Sequence, residues 1–189
     1  MTISFRAISL AAMLTVGSLS GAAVYAQDNP MVGGAAMFAN KNIIENAVNS
    51  ADHTTLVAAV KAAGLVDTLS GPGPFTVLAP TNEAFAALPA GTVDTLLKPE
   101  NKAMLATILG CHVIAAKALS TDIAAMAKAD GGAHVVDTVG GCKLTLKAAD
   151  GQITVTDENG TTAHVTIADV LQSNGVIHVI DAVLTPKAK

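Results

Sequence analysis

Aromatic residues are nearly missing from this chain. Its 189 residues include no Trp, one Tyr and four Phe, which leaves few stacking platforms for bases or sugar rings. A core must therefore be built from Ala, Val, Leu and Ile. Charge is scarce as well: 14% of residues are Asp, Glu, Lys or Arg, the net charge is −4, and no basic run occurs. That argues against nucleic acid as a partner, because phosphate binding needs clustered Lys and Arg. It also gives no electrostatic reason to sit on an anionic membrane.

The usual catalytic patterns are absent too. There is no Gly-x-Ser-x-Gly elbow, no Ser-x-x-Lys and no glycine-rich phosphate loop. Five histidines, His53, His112, His134, His164 and His178, suggest a metal at first sight. None pairs with another at i, i+4 on a helix and none stands at a ligand spacing with a carboxylate, so no metal and no cofactor is expected. Cys111 and Cys142 lack the CxxC grouping of zinc sites. Cys111 and His112 are read as neighbours in a strand, so their side chains point to opposite faces and cannot form a catalytic pair. The sequence reads as a protein without catalytic residues.

What is present begins with an export signal. Met1 to Arg6 carries one basic residue, Ala7 to Val16 is apolar apart from Ser9 and Thr15, and Val24-Tyr25-Ala26 fits a small-residue cleavage site before Gln27. Residues 1–26 are therefore expected to be a signal peptide. The apolar core is too short to span a membrane, and no other stretch reaches that length. The product is expected to be periplasmic or extracellular, with no membrane span in the mature chain. Cutting 26 of 189 residues leaves 163, with Arg6 the only charge lost, so ten basic residues face fifteen acidic ones at −5. That length suits one domain with a proper core. In an oxidising compartment Cys111 and Cys142 are expected to form one disulfide, with free buried thiols as the alternative. Closing about thirty residues stabilises a fold by roughly 3–4 kcal/mol on the chain-entropy model.

Residues 27–40 have no period and several breakers, and read as a loose N-terminal arm. Their apolar members Met31, Val32, Met37 and Phe38 also allow packing as an extension of the domain. A helical period starts at Asn42, with Ile43, Ile44, Ala47 and Val48 on one face. A second helix has Ser50 or Asp52 as cap, a stripe of Leu56, Val57, Val60 and Ala63, and Gly64 as stop. His53, in its first turn, reads as a surface residue. Thr92 is expected to cap a short helix, and Pro99 to begin another whose Met104, Leu105, Ile108 and Leu109 face inward. Cys111 to Ala115 reads as a strand, and residues 120–130 as a helix capped by Ser120 or Thr121.

From Ala133 the period changes to two. Asp150-Gly151 and Asn159-Gly160 are hairpin-turn pairs between the resulting strands. The Asn-Gly-Thr at 159–161 is formally a glycosylation sequon, although the hairpin tip accounts for it. Ala168 to Leu171 reads as a turn of helix, and Val176 to Leu184 as a final apolar strand. Helices first and a strand meander later make the fold class α+β, in a single domain without repeats.

Phe75-Thr-Val-Leu-Ala-Pro-Thr-Asn-Glu-Ala-Phe85 organises the rest of the chain. Phe75 to Ala79 is a buried-strand signal, Pro80 ends it, Thr81 or Asn82 caps the helix that Glu83 begins, and Phe85 points back into a core. This stretch resembles the first signature segment of the fasciclin domain family. Asn174-Gly-Val-Ile-His-Val-Ile-Asp-Ala-Val-Leu-Thr-Pro186 resembles the last, and Cys111-His112-Val113-Ile114 stands where the family usually carries Tyr-His. The resemblance covers residues 41 to 186. It implies a β-sandwich or wedge core flanked by several short helices, and a secreted or surface-attached, non-enzymatic module for cell adhesion or matrix contact.

Family proposals for partner binding transfer here to His112, Val113 and Ile114 with their neighbours Ile108 and Leu109. Cys111 in place of Tyr removes a phenol, so a contact through that hydroxyl does not carry over. Phe75, Pro80, Thr81, Asn82, Phe85, Asn174, Gly175, His178 and Asp181 carry the signature and are read as structural. His178 and Asp181, three apart in a strand, are not expected to pair. The implied partner is a cell-surface or matrix protein or polysaccharide. A single domain bridges two surfaces only by forming a homo-oligomer or by engaging a receptor. The alternative is a soluble extracytoplasmic carrier for a small ligand or saccharide, which calls for a pocket.

Overall fold

A computed structural model describes residues 29–187; the expected signal peptide, residues 1–26, lies outside them. In chain order the elements are β1 (Met31–Val32), β2 (Ala35–Ala36), α1 (Ile43–Ala47), α2 (Thr54–Ala63), α3 (Val66–Ser70), β3 (Phe75–Pro80), α4 (Asn82–Ala86), α5 (Thr92–Leu96), α6 (Lys102–Gly110) and β4 (Val113–Ile114). There follow α7 (Ser120–Ala129), β5 (His134–Asp137), β6 (Lys143–Ala149), β7 (Gln152–Thr156), β8 (Thr162–Gln172) and β9 (Gly175–Ile180). Single turns of 3₁₀ helix, Ala51–His53 and Pro99–Asn101, lead into α2 and α6.

Seven strands form one sheet in the order β4-β3-β9-β8-β7-β6-β5. Only β3 and β9 run parallel, in the register Phe75↔Gly175 through Pro80↔Ile180. Both are buried along nearly their whole length, which explains their continuous apolar runs. Alternation sends Val77, Ala79, Ile177 and Val179 into a core beneath the helices. Leu78 and Ile180 enter a second core, where Ile123 of α7 meets Leu144, Leu146, Val155 and Val165 of the meander. The α+β wedge with flanking helices is thus what the chain adopts.

Local chemistry accounts for the turns that sequence made visible. Asp150 and Gly151 both have positive φ (53° and 78°) and join β6 to β7 as a two-residue hairpin. Thr81 caps α4, its hydroxyl accepting from the Ala84 N–H at 3.3 Å. Asn82 is instead a brace: its side chain accepts from the Thr55 N–H (3.0 Å) and donates to the Ala51 carbonyl (2.8 Å).

Other expectations are corrected. Residues 31–36 pair as a hairpin, with Val32 and Met37 in the helical core while Met31 and Phe38 stay exposed, so the segment packs as an extension of the domain rather than as a loose arm. Ala168 to Leu171 is no helical turn but part of β8, whose register slips between Val165 and Val170, with Asp169 at φ 58°. The last strand stops at Ile180. Asn159-Gly160 sits in a longer loop in which the buried Asp157 carboxylate accepts from the Asn159 and Thr161 N–H groups. Met104 faces solvent, Gly91 rather than Thr92 precedes α5 as cap, and neither Ser120 nor Thr121 caps α7. The α7 start is held from within by Asp122, which accepts from the Leu119 N–H, and from outside by Asp169, which accepts from the Ser120 N–H.

Candidate interaction site

Helix α6 sets the site by ending against the sheet. Leu105, Ile108 and Leu109 are spaced to face the core and are buried. Cys111 follows as the helix cap, its N–H donating to the Thr107 carbonyl at 2.9 Å, and the His112 N–H donates to Leu109 at 3.0 Å. The strand therefore begins only at Val113. The opposed-faces argument that separated Cys111 from His112 loses its premise, since both residues lie in a turn. What engages the Cys111 thiol is Cys142: the two are disulfide-bonded, with Cα atoms 5.2 Å apart and a sequence separation of 31.

The loop carrying Cys142 is pressed onto α6. A Cβ on Gly110 would lie 2.7 Å from the Gly140 Cα, and one on Gly140 would lie 2.5 Å from the Thr107 carbonyl oxygen. Only glycine fits at both positions of this backbone contact. The Val139 N–H then donates to the Val113 carbonyl at 2.8 Å, extending the edge of β4.

His112 is 2% exposed, and both ring nitrogens are used. Nδ1 donates to the Ile108 carbonyl at 2.8 Å and Nε2 accepts from the Leu184 N–H at 2.9 Å, which fixes the neutral Nδ1–H tautomer. Burial pushes its pKa down to about 4, against smaller opposing effects of the Ile108 bond and the Asp157 charge. His178 has the reverse tautomer: Nδ1 accepts from the Asp169 N–H (3.2 Å) and Nε2 donates to the Ala118 carbonyl (2.9 Å). His53, expected at the surface, is 3% exposed and pairs with Ser50 Oγ at 2.8 Å. Burial lowers the pKa of both. These rings clamp irregular backbone, and neither nitrogen of any of the three is left to bind a ligand. Among the described residues no group of three His, Cys, Asp or Glu is placed to hold a metal ion.

The other signature residues are structural in placement. Asn174 ties three segments, accepting from the Ile43 N–H (3.0 Å) and donating to the Leu69 and Gly71 carbonyls (2.8 and 2.9 Å). Phe85 is buried, and Gly175 packs against the Phe75 backbone. Asp181 accepts from the His164 N–H at 2.7 Å and leaves His178 alone. Asp157, which sequence reasoning passed over, also accepts from the Thr185 N–H at 2.9 Å. An Asp two residues before Asn-Gly is an Asx-turn signal that marks it.

Ile108, Leu109, Val113 and Ile114 are buried like His112. Of this group, Val113 reaches a groove of about 330 Å³, where it is joined by Leu65, Thr68, Phe75, Thr107 and Val139. Val139 is 54% exposed there, and Met104, 58% exposed, stands one helical turn before Thr107. The segment that resembles the family's contact site is thus the floor and backing of a groove whose rim is α3, α6 and the loop held by the disulfide.

Comparison with known proteins agrees with this architecture. The family model described as Fasciclin domain matches residues 51–186. Protein sll1483 of Synechocystis sp. is 46% identical over 160 residues, covering 85% of this chain and 82% of that protein. The cell surface glycolipoprotein MPB83 of Mycobacterium bovis is 36% identical over 175 residues, covering 89% of this chain and 72% of the relative. Among solved structures, a FAS1 domain pair from the insect cell adhesion molecule Fasciclin I superposes with a TM-score of 0.67 at 17% identity, over 79% of this chain. The chain spans about half of that two-domain protein. With the signature corner, the parallel β3–β9 pair and the family model in agreement over most of its length, this chain belongs to the fasciclin domain family.

Proposed function

We propose that the chain is an exported, non-enzymatic module that binds a protein or polysaccharide of a cell surface or matrix, through the groove over Val113. The observation that carries this is the rim. Val139 exposes apolar surface beside Leu65 and Phe75, on a loop that the Cys111–Cys142 disulfide and the Gly110–Gly140 contact hold against α6. A preformed apolar rim loses little entropy on binding. The family membership and the named surface and adhesion relatives support the same reading. Among the described residues no helix is long and apolar enough to cross a membrane.

The experiment is a titration of labelled, exported protein onto its source cells and a panel of matrix proteins and polymers. Saturable binding is expected, weakened at least tenfold by Val139→Asp with the melting temperature unchanged. Light scattering in parallel reports whether bridging uses two copies. No binding at any accessible concentration would overturn the proposal.

A further inference from the structure

The helical core is not filled. Between α1, α2 and the sheet lies a void of about 50 Å³, several times the space one water needs. Its walls are Val32, Met37 and Ile43 on one side and Val60, Val77 and Ile177 on the other. Protein interiors leave few voids larger than a water, and one lined by methyl groups stays dry. The polar atoms nearest it are already occupied: Ser50 Oγ pairs with His53 Nδ1, and His53 Nε2 lies 3.4 Å from the Ala79 carbonyl. Whatever enters must therefore bring no polar group with it. The single charged residue of the lining is Lys61, which is exposed and has no carboxylate within ion-pair distance among the described residues.

A second observation concerns where the walls come from. Val32, Met37, Ile43, Ile44, Ala47 and Ser50 all precede residue 51, where the family match begins. The β1–β2 hairpin and α1 close one side of the void, and the Gly33 carbonyl accepting from the Ala51 N–H holds the hairpin down. Six of the twenty-one residues that line the void thus come from the segment before the family match.

We infer that this void is a binding site for the aliphatic end of a single-chain anionic amphiphile, with the carboxylate or other acidic head outside beside Lys61. The site is separate from the groove: Val113 and Leu69 form the partition between them. Loss of surface binding and loss of amphiphile binding are therefore distinguishable.

The test uses the exported full-length product and a series of hexanoate, octanoate and decanoate, with octanol as the uncharged control. Binding is followed by titration calorimetry and by methyl NMR shifts of Ile43, Val77 and Ile177. Affinity should rise about fourfold for each methylene that becomes buried, then level off when the void is full. Ala47→Leu, which fills the void from α1, should cut octanoate affinity at least tenfold. Val60→Ala, which enlarges it, should move the plateau to a longer chain. Lys61→Glu should weaken octanoate about tenfold and leave octanol unchanged. Shifts confined to surface methyls, or affinity indifferent to chain length and to Ala47→Leu, would overturn the proposal; equal effects of Lys61→Glu on octanoate and octanol would overturn its anionic head.

Discussion

On the helical side of β3 and β9, apolar side chains share the interior with Asn46, Ser50, His53 and Gln172, and a void remains among them. On the meander side, Leu78, Leu144, Leu146, Val155 and Ile180 pack under α7 as an aliphatic cluster. The difference follows from how each half is built. Six short helices cannot interdigitate over a sheet without irregular joints, and the joints are pinned by polar side chains: Asn46 bonds Phe38 and Gln172, and Asn82 bonds Ala51 and Thr55. Consecutive antiparallel strands need fewer such pins, because ladder hydrogen bonds already satisfy most of their backbone; His178 and Asp157 serve only where β8 bulges and where the loop before it turns. One half trades packing density for pinned geometry, and that half encloses the candidate ligand site.

The comparison can be broken or sharpened by experiment. Leu144→Ala, in the meander core, should cost about 4 kcal/mol in a urea melt, and Leu56→Ala, beside the void, about 2 kcal/mol, since fewer contacts surround the second leucine. Equal costs would show the two cores to be packed alike. Reducing or replacing Cys111 and Cys142 should cost about 3.5 kcal/mol, and should loosen α6 and the 138–142 loop in hydrogen exchange before the β6–β7 hairpin. Uniform loosening would deny that the bond staples one half to the other.

Acid should act at the seam between the halves. His112 has its pKa lowered from 6.5 to about 4 by burial. Above pH 6.5 both folded and unfolded chains carry it neutral, and the native state keeps its full stability. Between 6.5 and about 4 the unfolded chain takes up a proton that the native state refuses, so stability falls with falling pH. The loss approaches about 3 kcal/mol near pH 4. His53 and His178 shift in the same direction. His112→Gln should flatten the stability profile over that window, and an unchanged slope would refute the assignment. The smallest effect is at the cap: Thr81→Ala should cost about 1 kcal/mol, and a loss above about 3 kcal/mol would mean that Thr81 does more than cap.

Sequence pattern showed those features whose cause is local. The Phe75–Phe85 corner, the Asp150-Gly151 turn and the α2 stripe depend on residues within a few positions of one another. What escaped had distant causes. His53 is buried because Ala79, 26 residues on, roofs it, and β8 keeps its strand through Ala168–Leu171 because β9 pairs with it. Met104 fits the apolar stripe by period, yet among the described residues its side of α6 stays exposed. At the proposed site, the residues at the Tyr-His position and their neighbours, expected as contacts, are buried. The exposed rim comes from Val139, on a loop whose docking rests on two glycines 30 residues apart.

The parallel register of β3 with β9 also governs when this protein can exist. Phe75 pairs with Gly175, so 100 residues must emerge before the central strands meet. At ribosomal rates of about 5–20 residues per second that takes roughly 5–20 s. Throughout that interval β3 has no parallel partner and neither core can close. A chain truncated before Gly175 lacks the common wall of both halves, so a premature stop gives no half-folded product, only a substrate for proteases. For a chain proposed to be exported before Cys111 and Cys142 pair, the late strand must arrive before either core can close.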